Sequence, residues 1–308
     1  MKESIMYNGM LAVYKTKGMT SHDVVFKLRK ILKMKRIGHT GTLDPEVEGV
    51  LVVCLGKATK LVELLMDSAK VYRGEVTLGF STETEDAHGQ VVDVLAMTQP
   101  ISNEVIDATM SDFEGTIEQV PPMYSAVKVN GKRLYEYARE GIEVERPRRQ
   151  AEIYSLKRIN EPYFNLEKGT QTWSFDVACG KGTYVRTLAV DIGNALGFPA
   201  HMSDLVRKET SGFNASQAYT LEEIQEIANR NELQSIITSI EDTLVDLPKI
   251  QITFDQYTSI KNGQVLALDY FGNPLQTKTG LYYEGDIIAI YQQHPEKPEY
   301  IKPYKMFT

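Results

Sequence analysis

An unbroken apolar run, Gly49-Val-Leu-Val-Val-Cys-Leu55, predicts a short buried strand early in the chain. Residues 9–14 read as another strand. Between them Val24, Val25, Leu28, Ile31 and Leu32 recur at helical spacing, and Thr20 or Ser21 can cap that helix. A second helix is expected over 59–66 with Leu61, Leu64 and Leu65 inward, then a strand over 71–78 and a polar loop over 80–89. Residues 104–118 carry an interrupted helical pattern. Strand patterns return at 153–159 and 172–178, followed by helices over 183–196, ending at Gly197, and over 221–228.

Two stretches break this rhythm. Residues 121–150 have paired prolines, little apolar periodicity and Asn130-Gly131, a strong hairpin signal; they predict an exposed hairpin-and-helix insertion. From about residue 246 the chain turns to short strands punctuated at Asn262-Gly263, Gly272-Asn273-Pro274 and Glu284-Gly285. The expected organisation is α+β, with a large unit over 1–245 and a small β-rich, barrel-like unit over 246–308. A length of 308 residues suits two such units.

Charge changes this picture. The net charge of −7 argues at first against a polyanionic partner, but its distribution reverses the argument. Residues 27–36 carry +6 with no acid among them, and residues 128–149 carry +3, leaving −16 on the remainder. Two basic islands on an acidic body form an electrostatic footprint for nucleic acid; two solvated faces are the bland alternative. No run approaches the ~20 apolar residues of a membrane span, and the N-terminus lacks the apolar core of a secretory signal. Cys54 and Cys179 lack zinc-site spacing and read as buried thiols; a reducing cytoplasm is the expected setting.

The candidate chemistry lies just before the apolar run, in Gly38-His-Thr-Gly-Thr-Leu-Asp-Pro45. Asp44 precedes a proline, which pushes it out of helical geometry onto an irregular loop. A carboxylate on a loop braced by a buried strand suits nucleophilic or acid–base work, although an Asp before Pro also commonly caps a turn. There is no Walker A pattern, no Gly-x-Gly-x-x-Gly and no pair of histidines at helical spacing.

Residues 38–51 resemble the signature of the TruB-type tRNA pseudouridine synthases. The resemblance continues in order through Lys70-Val-Tyr72, Leu78-Gly79, Pro121-Pro-Met-Tyr-Ser-Ala-Val-Lys128, Tyr135, Ala138-Arg-Glu-Gly141, Gly182-Thr-Tyr-Val-Arg186, Asp191-Ile-Gly193 and Leu205-Val-Arg207. It covers roughly residues 9–213. It implies a largely antiparallel mixed central sheet flanked by helices, followed by a small PUA-like RNA-binding domain. It implies conversion of the T-arm uridine, position 55 of tRNA, to pseudouridine, with no metal, cofactor, membrane or protein partner and a monomeric enzyme.

Residue by residue, the resemblance makes Asp44 the nucleophile, Arg186 the cation that keeps it ionised, and Tyr72 the aromatic that stacks on the flipped uracil. Tyr184 becomes a second pocket aromatic, Leu205 an apolar wall, and Lys60 a lysine close to the active site. His39 helps fill the gap left by the extracted base. Arg146, Arg148 and Arg149 lie on the insertion, which is expected to close over the RNA stem-loop. Glu46 and Glu48 add two acids beside Asp44 and are expected to point away from the phosphates. Two other classes compete: a non-catalytic tRNA-binding or folding module, which has no need of Asp44, and a hydrolase, which lacks a second carboxylate or metal set.

Overall fold

In the computed structural model, which describes residues 6–275 and 277–308, the apolar run becomes strand Glu48–Leu55 and the core of a ten-stranded sheet. Even-numbered Val50, Val52 and Cys54 face one side of the sheet; odd-numbered Leu51, Val53 and Leu55 face the other. The neighbouring strand Gly9–Lys15 divides in the same way, Met10 and Ala12 against Leu11 and Val13. One side is covered by helices Ser21–Ile31 and Leu221–Asn229. The other packs against the small C-terminal sheet through Tyr282, Ile287, Ile290 and Phe307. Burial on both faces explains why this strand shows no polar alternation.

The main path of the sheet runs Gly9–Lys15, Glu48–Leu55, Ala200–Thr210, Lys70–Leu78, Thr170–Cys179, Arg149–Arg158, Gly115–Gln119. All of these neighbours are antiparallel except Glu48–Leu55 with Ala200–Thr210, which is parallel and joined over Val206↔Glu48 and Arg207↔Gly49. The far half carries a second core in which Trp173, Phe175 and Val177 meet helix Val185–Ala195 through Leu188 and Ile192, and helix Asn103–Ser111 through Ile106. The C-terminal sheet, in order Lys249–Gln251, Thr279–Tyr283, Asp286–Gln293, Tyr300–Met306, Leu266–Ala267, forms the β-rich unit expected from the turn signals. Both cysteines are buried and unpaired, their thiol pKa values pushed up by burial to about 12 for Cys54 and about 11 for Cys179. Among the described residues no helix is long and apolar enough to cross a membrane.

Several elements differ from the sequence reading. Residues 104–118 divide into a helix ending at Ser111 and the edge strand Gly115–Gln119. The polar loop after residue 79 opens as strand Phe80–Thr82, paired with Val91–Val94. The helix expected over 59–66 is a 3-10 turn, Gly56–Leu61, running into a short α-helix, Val62–Met66. The C-terminal unit contains a helix, Phe254–Ile260, capped by Thr253, whose side chain accepts from Gln256 N–H. The central strand Ala200–Thr210 has no counterpart among the expected elements. The insertion does fold as a hairpin, Lys128–Val129 with Lys132–Arg133 about Asn130-Gly131, followed by helix Leu134–Glu140.

The parallel crossing depends on Gly49. Its φ is +115°, and a Cβ there would lie 2.2 Å from the carbonyl oxygen of Arg207. Neither backbone can retreat without breaking the sheet. Gly49→Ala is therefore expected to lower stability by more than about 2 kcal/mol. Urea unfolding monitored by circular dichroism checks this; a loss under about 0.5 kcal/mol would show the crossing to be tolerant.

Candidate active site

Asp44 sits between two anchors. Leu43 and Val47 are both buried in the far core, so the loop is pinned on either side of the carboxylate. Val47 N–H donates to Asp44 C=O at 3.1 Å, closing the turn that Pro45 begins. Ser21, one of the two candidate caps, instead fastens this loop. Its Oγ accepts from Leu43 N–H at 2.9 Å and donates to Leu43 C=O at 3.2 Å. Thr20 caps the first helix, forming a capping box with Asp23.

Two buried cations complete the brace. Lys15 is fully buried, and its Nζ donates to the carbonyls of Met19 (2.7 Å), Pro45 (3.0 Å) and Thr16 (3.1 Å). Burial lowers its pKa. Arg207, also buried, reaches across the parallel strand pair: Nε donates to Val50 C=O (2.8 Å), one terminal nitrogen to Gly41 C=O (3.1 Å) and the other to Thr42 C=O (3.4 Å). All of these partners are backbone carbonyls. Sequence reasoning passes over Lys15 and includes Arg207 only as the end of Leu205-Val-Arg207, without a role, because a lone cation carries no periodic signal.

The carboxylate of Asp44 is half exposed and opens into a cleft of about 570 Å³. Tyr72, Tyr184, Arg186 and Leu205 line the same cleft. Arg186 lies at the start of helix Val185–Ala195 and is buried, not a surface residue. Its guanidinium donates to Thr84 C=O and Tyr124 C=O, each at 3.0 Å, and one terminal nitrogen stands 3.1 Å from Asp44 Oδ2. The arginine is thus fixed by two carbonyls and presents its remaining charge to the carboxylate. Burial pushes the hydroxyl pKa of both Tyr72 and Tyr184 upward, so both remain neutral phenols near pH 7.

The remaining predicted residues lie outside this cleft. His39 stands on strand Ile37–His39 at the start of the loop, accepts from Gly41 N–H at 3.3 Å and meets His22 edge-on at 6.0 Å. Burial lowers its pKa. Lys60 lines a separate groove together with Gly38. Arg146, Arg148 and Arg149 line a third cavity with Lys128 on the insertion. Arg146 also donates to Pro121 C=O at 3.1 Å, and Arg148 pairs with Glu118 at 2.6 Å. Glu46 lies 3.8 Å from His88, whose other ring nitrogen is 3.7 Å from Asp86. Glu48 begins the buried strand beside Tyr14.

Behind Arg186, Glu85 accepts from Thr187 Oγ1 at 2.6 Å, and Asp191 lies one helical turn further on. Burial raises both carboxyl pKa values, and Glu85 adds to the rise at Asp191, which reaches about 6.

A profile of the TruB family pseudouridylate synthases (N terminal domain) matches residues 29–185, and one of the tRNA pseudouridylate synthase B C-terminal domain matches residues 186–245. The chain is 49% identical over 306 residues to the tRNA pseudouridine synthase B of Bacillus pumilus, covering 98% of each. It is 50% identical over 308 residues to that of Staphylococcus haemolyticus, covering 98% of this chain and 100% of the relative. Its fold is similar to that of a chain in a Cbf5-Nop10-Gar1 complex, with a TM-score of 0.72 and 26% identity over 97% of this chain and 85% of the other.

The raised pKa of Asp191 yields a signed prediction. The unfolded carboxyl releases its proton near 3.8, the folded one near 6. Between these values the folded state binds more protons, so stability falls as pH rises through that window and the cost persists above it. Asp191→Asn should leave stability unchanged near pH 4 and raise it by about 1–2 kcal/mol at pH 7, after discounting the full shift for partial exposure. Thermal melts across pH 4–8 test this; a difference that does not vary with pH would contradict it.

Proposed function

The chain belongs to the TruB family of pseudouridylate synthases, and on that premise we propose that it isomerises the T-arm uridine at position 55 of tRNA, with Asp44 as nucleophile. The observation that carries this reading is the Asp44–Arg186 pair at 3.1 Å, set in a cleft walled by Tyr72, Tyr184 and Leu205. The enzyme is an isomerase: the bond from C1′ to N1 breaks, the uracil turns, C1′ bonds to C5, and the proton lost from C5 is balanced by one taken up at N1. No electron or group is gained, so a carboxylate and a shaped pocket supply what the chemistry requires.

Each residue then has one role. Arg186 holds its guanidinium 3.1 Å from Asp44 Oδ2 and, tied to Thr84 and Tyr124, cannot swing away as the nucleotide enters. Tyr72 takes the extracted uracil against its ring. Stacking is worth about 1–3 kcal/mol per base. Extraction from a stacked loop costs a few kcal/mol, which stacking largely offsets. Tyr184 and Leu205 close the pocket around the detached base. His39, at the rim of the loop, occupies the space the base leaves. Asp44 attacks either C1′ or the uracil ring. A non-catalytic tRNA-folding module would need neither the oriented Asp44 nor the buried arginine held against it.

The division of labour follows the two units, 1–245 for chemistry and 246–308 for RNA contact. The insertion acts as a thumb over the stem-loop, with Arg146, Arg148 and Arg149 toward the backbone.

Asp44→Asn should abolish pseudouridine formation on an unmodified tRNA transcript while binding persists. Loss of a covalent catalyst removes many powers of ten in rate, each about 1.4 kcal/mol of barrier. Position-resolved pseudouridine mapping reads this out, and turnover within tenfold of the parent would refute the assignment of Asp44.

Neutralising Arg146, Arg148 and Arg149 together should weaken tRNA binding and flatten the dependence of log affinity on log salt by about 0.7–0.9 per lost phosphate contact. Tyr72→Leu should do the reverse, damaging turnover more than affinity. If the triple variant binds like the parent at every salt concentration, the insertion is only a solvated face.

A further inference from the structure

We propose that the C-terminal sheet supplies one wall of a phosphate-binding groove, with Lys305 as its contribution, and that the RNA backbone is held there between the two units. The proposal rests on the reading of the chain as a tRNA enzyme and assigns the C-terminal unit a specific contact.

A cavity of about 530 Å³ lies apart from the active-site cleft. Five cations line it, drawn from four segments. Arg29 comes from the first helix, and Lys35 and Arg36 from the chain that follows it. Lys60 comes from the 3-10 turn Gly56–Leu61, and Lys305 from the last strand, Tyr300–Met306. Glu63 is the one acid among the lining residues. Such a gathering of like charge is unfavourable without an anion. Lys60 registers it: burial first, then Arg36 and Lys57, lower its pKa. None of the lining residues is aromatic, so the groove suits backbone phosphodiesters rather than stacked bases. Gly38 forms part of its wall and His39 follows directly, so an RNA strand in the groove lies beside the catalytic loop.

Lys305 is already posed to meet a phosphate. Its Nζ lies 5.0 Å from the ring centre of Tyr304, with Lys278 over the same ring at 4.0 Å. It pairs with Glu63 at 2.6 Å, and the two partners are unequal: the Lys305 side chain is 21% exposed and that of Glu63 is 75% exposed. The cation is largely buried and the carboxylate stands out in solvent. A phosphate entering the groove can take the place of the carboxylate while Lys305 stays where it is.

This inequality makes a test possible, because Lys305→Gln and Glu63→Gln break the same ion pair. If the pair serves only to fasten the two sheets, both variants lose the same contact and bind RNA alike. If Lys305 waits for a phosphate, they move in opposite directions. Lys305→Gln should weaken binding of a full-length unmodified tRNA transcript and reduce the salt slope by about 0.7–0.9. Glu63→Gln, which removes the competitor, should tighten binding and steepen the slope. Thermal melts of both variants confirm that each is folded. Affinity changes of the same sign in both, or none in either, overturn the proposal. Conversion of the same transcript by the parent is scored separately. A parent without conversion counts against the proposed activity, whereas matching affinities of the two variants count against the groove.

Discussion

The loop that carries Asp44 is held in place by buried cations whose hydrogen bonds go to backbone carbonyls. Lys15 and Arg207 give their hydrogen bonds to carbonyls of the loop around Asp44 and of the strands that frame it. Burying an ion costs several kcal/mol even after relaxation, so such groups persist only when nearly every donor is satisfied. The loop therefore has one conformation in which Lys15 and Arg207 are both content. Arg186 repeats the device on the other side of the cleft, with two carbonyls fixing it and one carboxylate left to influence. The cleft is framed by backbone oxygens facing cations, and of the two aspartates that line it, Asp44 is the one paired with Arg186.

Much of this is legible in the chain, for reasons that differ by residue. Asp44, Tyr72, Tyr184, Arg186 and Leu205 stand in short motifs, and the fold brings all five to one cleft. Lys60, which the resemblance places close to the active site, lines another cavity together with Arg36. The double-sided burial of Glu48–Leu55 is readable as an unbroken apolar run. Ala200–Thr210 is not readable in that way, although it lies at the centre of the sheet. Its His201 and Arg207 are buried because particular carbonyls receive them, and periodicity does not record specific hydrogen bonds. Helix Phe254–Ile260 is obscured for another reason. Its capping box is present in Thr253 and Gln256, but seven residues are too few for a helical pattern to stand out among turn signals.

The two sheets share an apolar cluster that neither could bury alone. Met10, Val50, Val52 and Cys54 from one meet Tyr282, Ile290 and Phe307 from the other. The strand that braces the Asp44 loop thus has one face covered by the C-terminal unit. The C-terminal unit and the Asp44 loop are neighbours through the thickness of a single strand.

The parallel pairing of Glu48–Leu55 with Ala200–Thr210 sets a schedule for synthesis. Asp44 and the guanidinium that braces its loop are separated by roughly 160 residues, an interval on the order of ten seconds or more at ribosomal speeds of ~5–20 residues per second. Until Arg207 emerges, the loop around Asp44 lacks its contacts to Gly41 and Thr42, and Glu48 and Gly49 lack their partners across the parallel crossing. A nascent chain therefore passes through a long period with its signature loop translated and the cleft around Asp44 unassembled. Competence arrives late and at once, when the crossing strand docks.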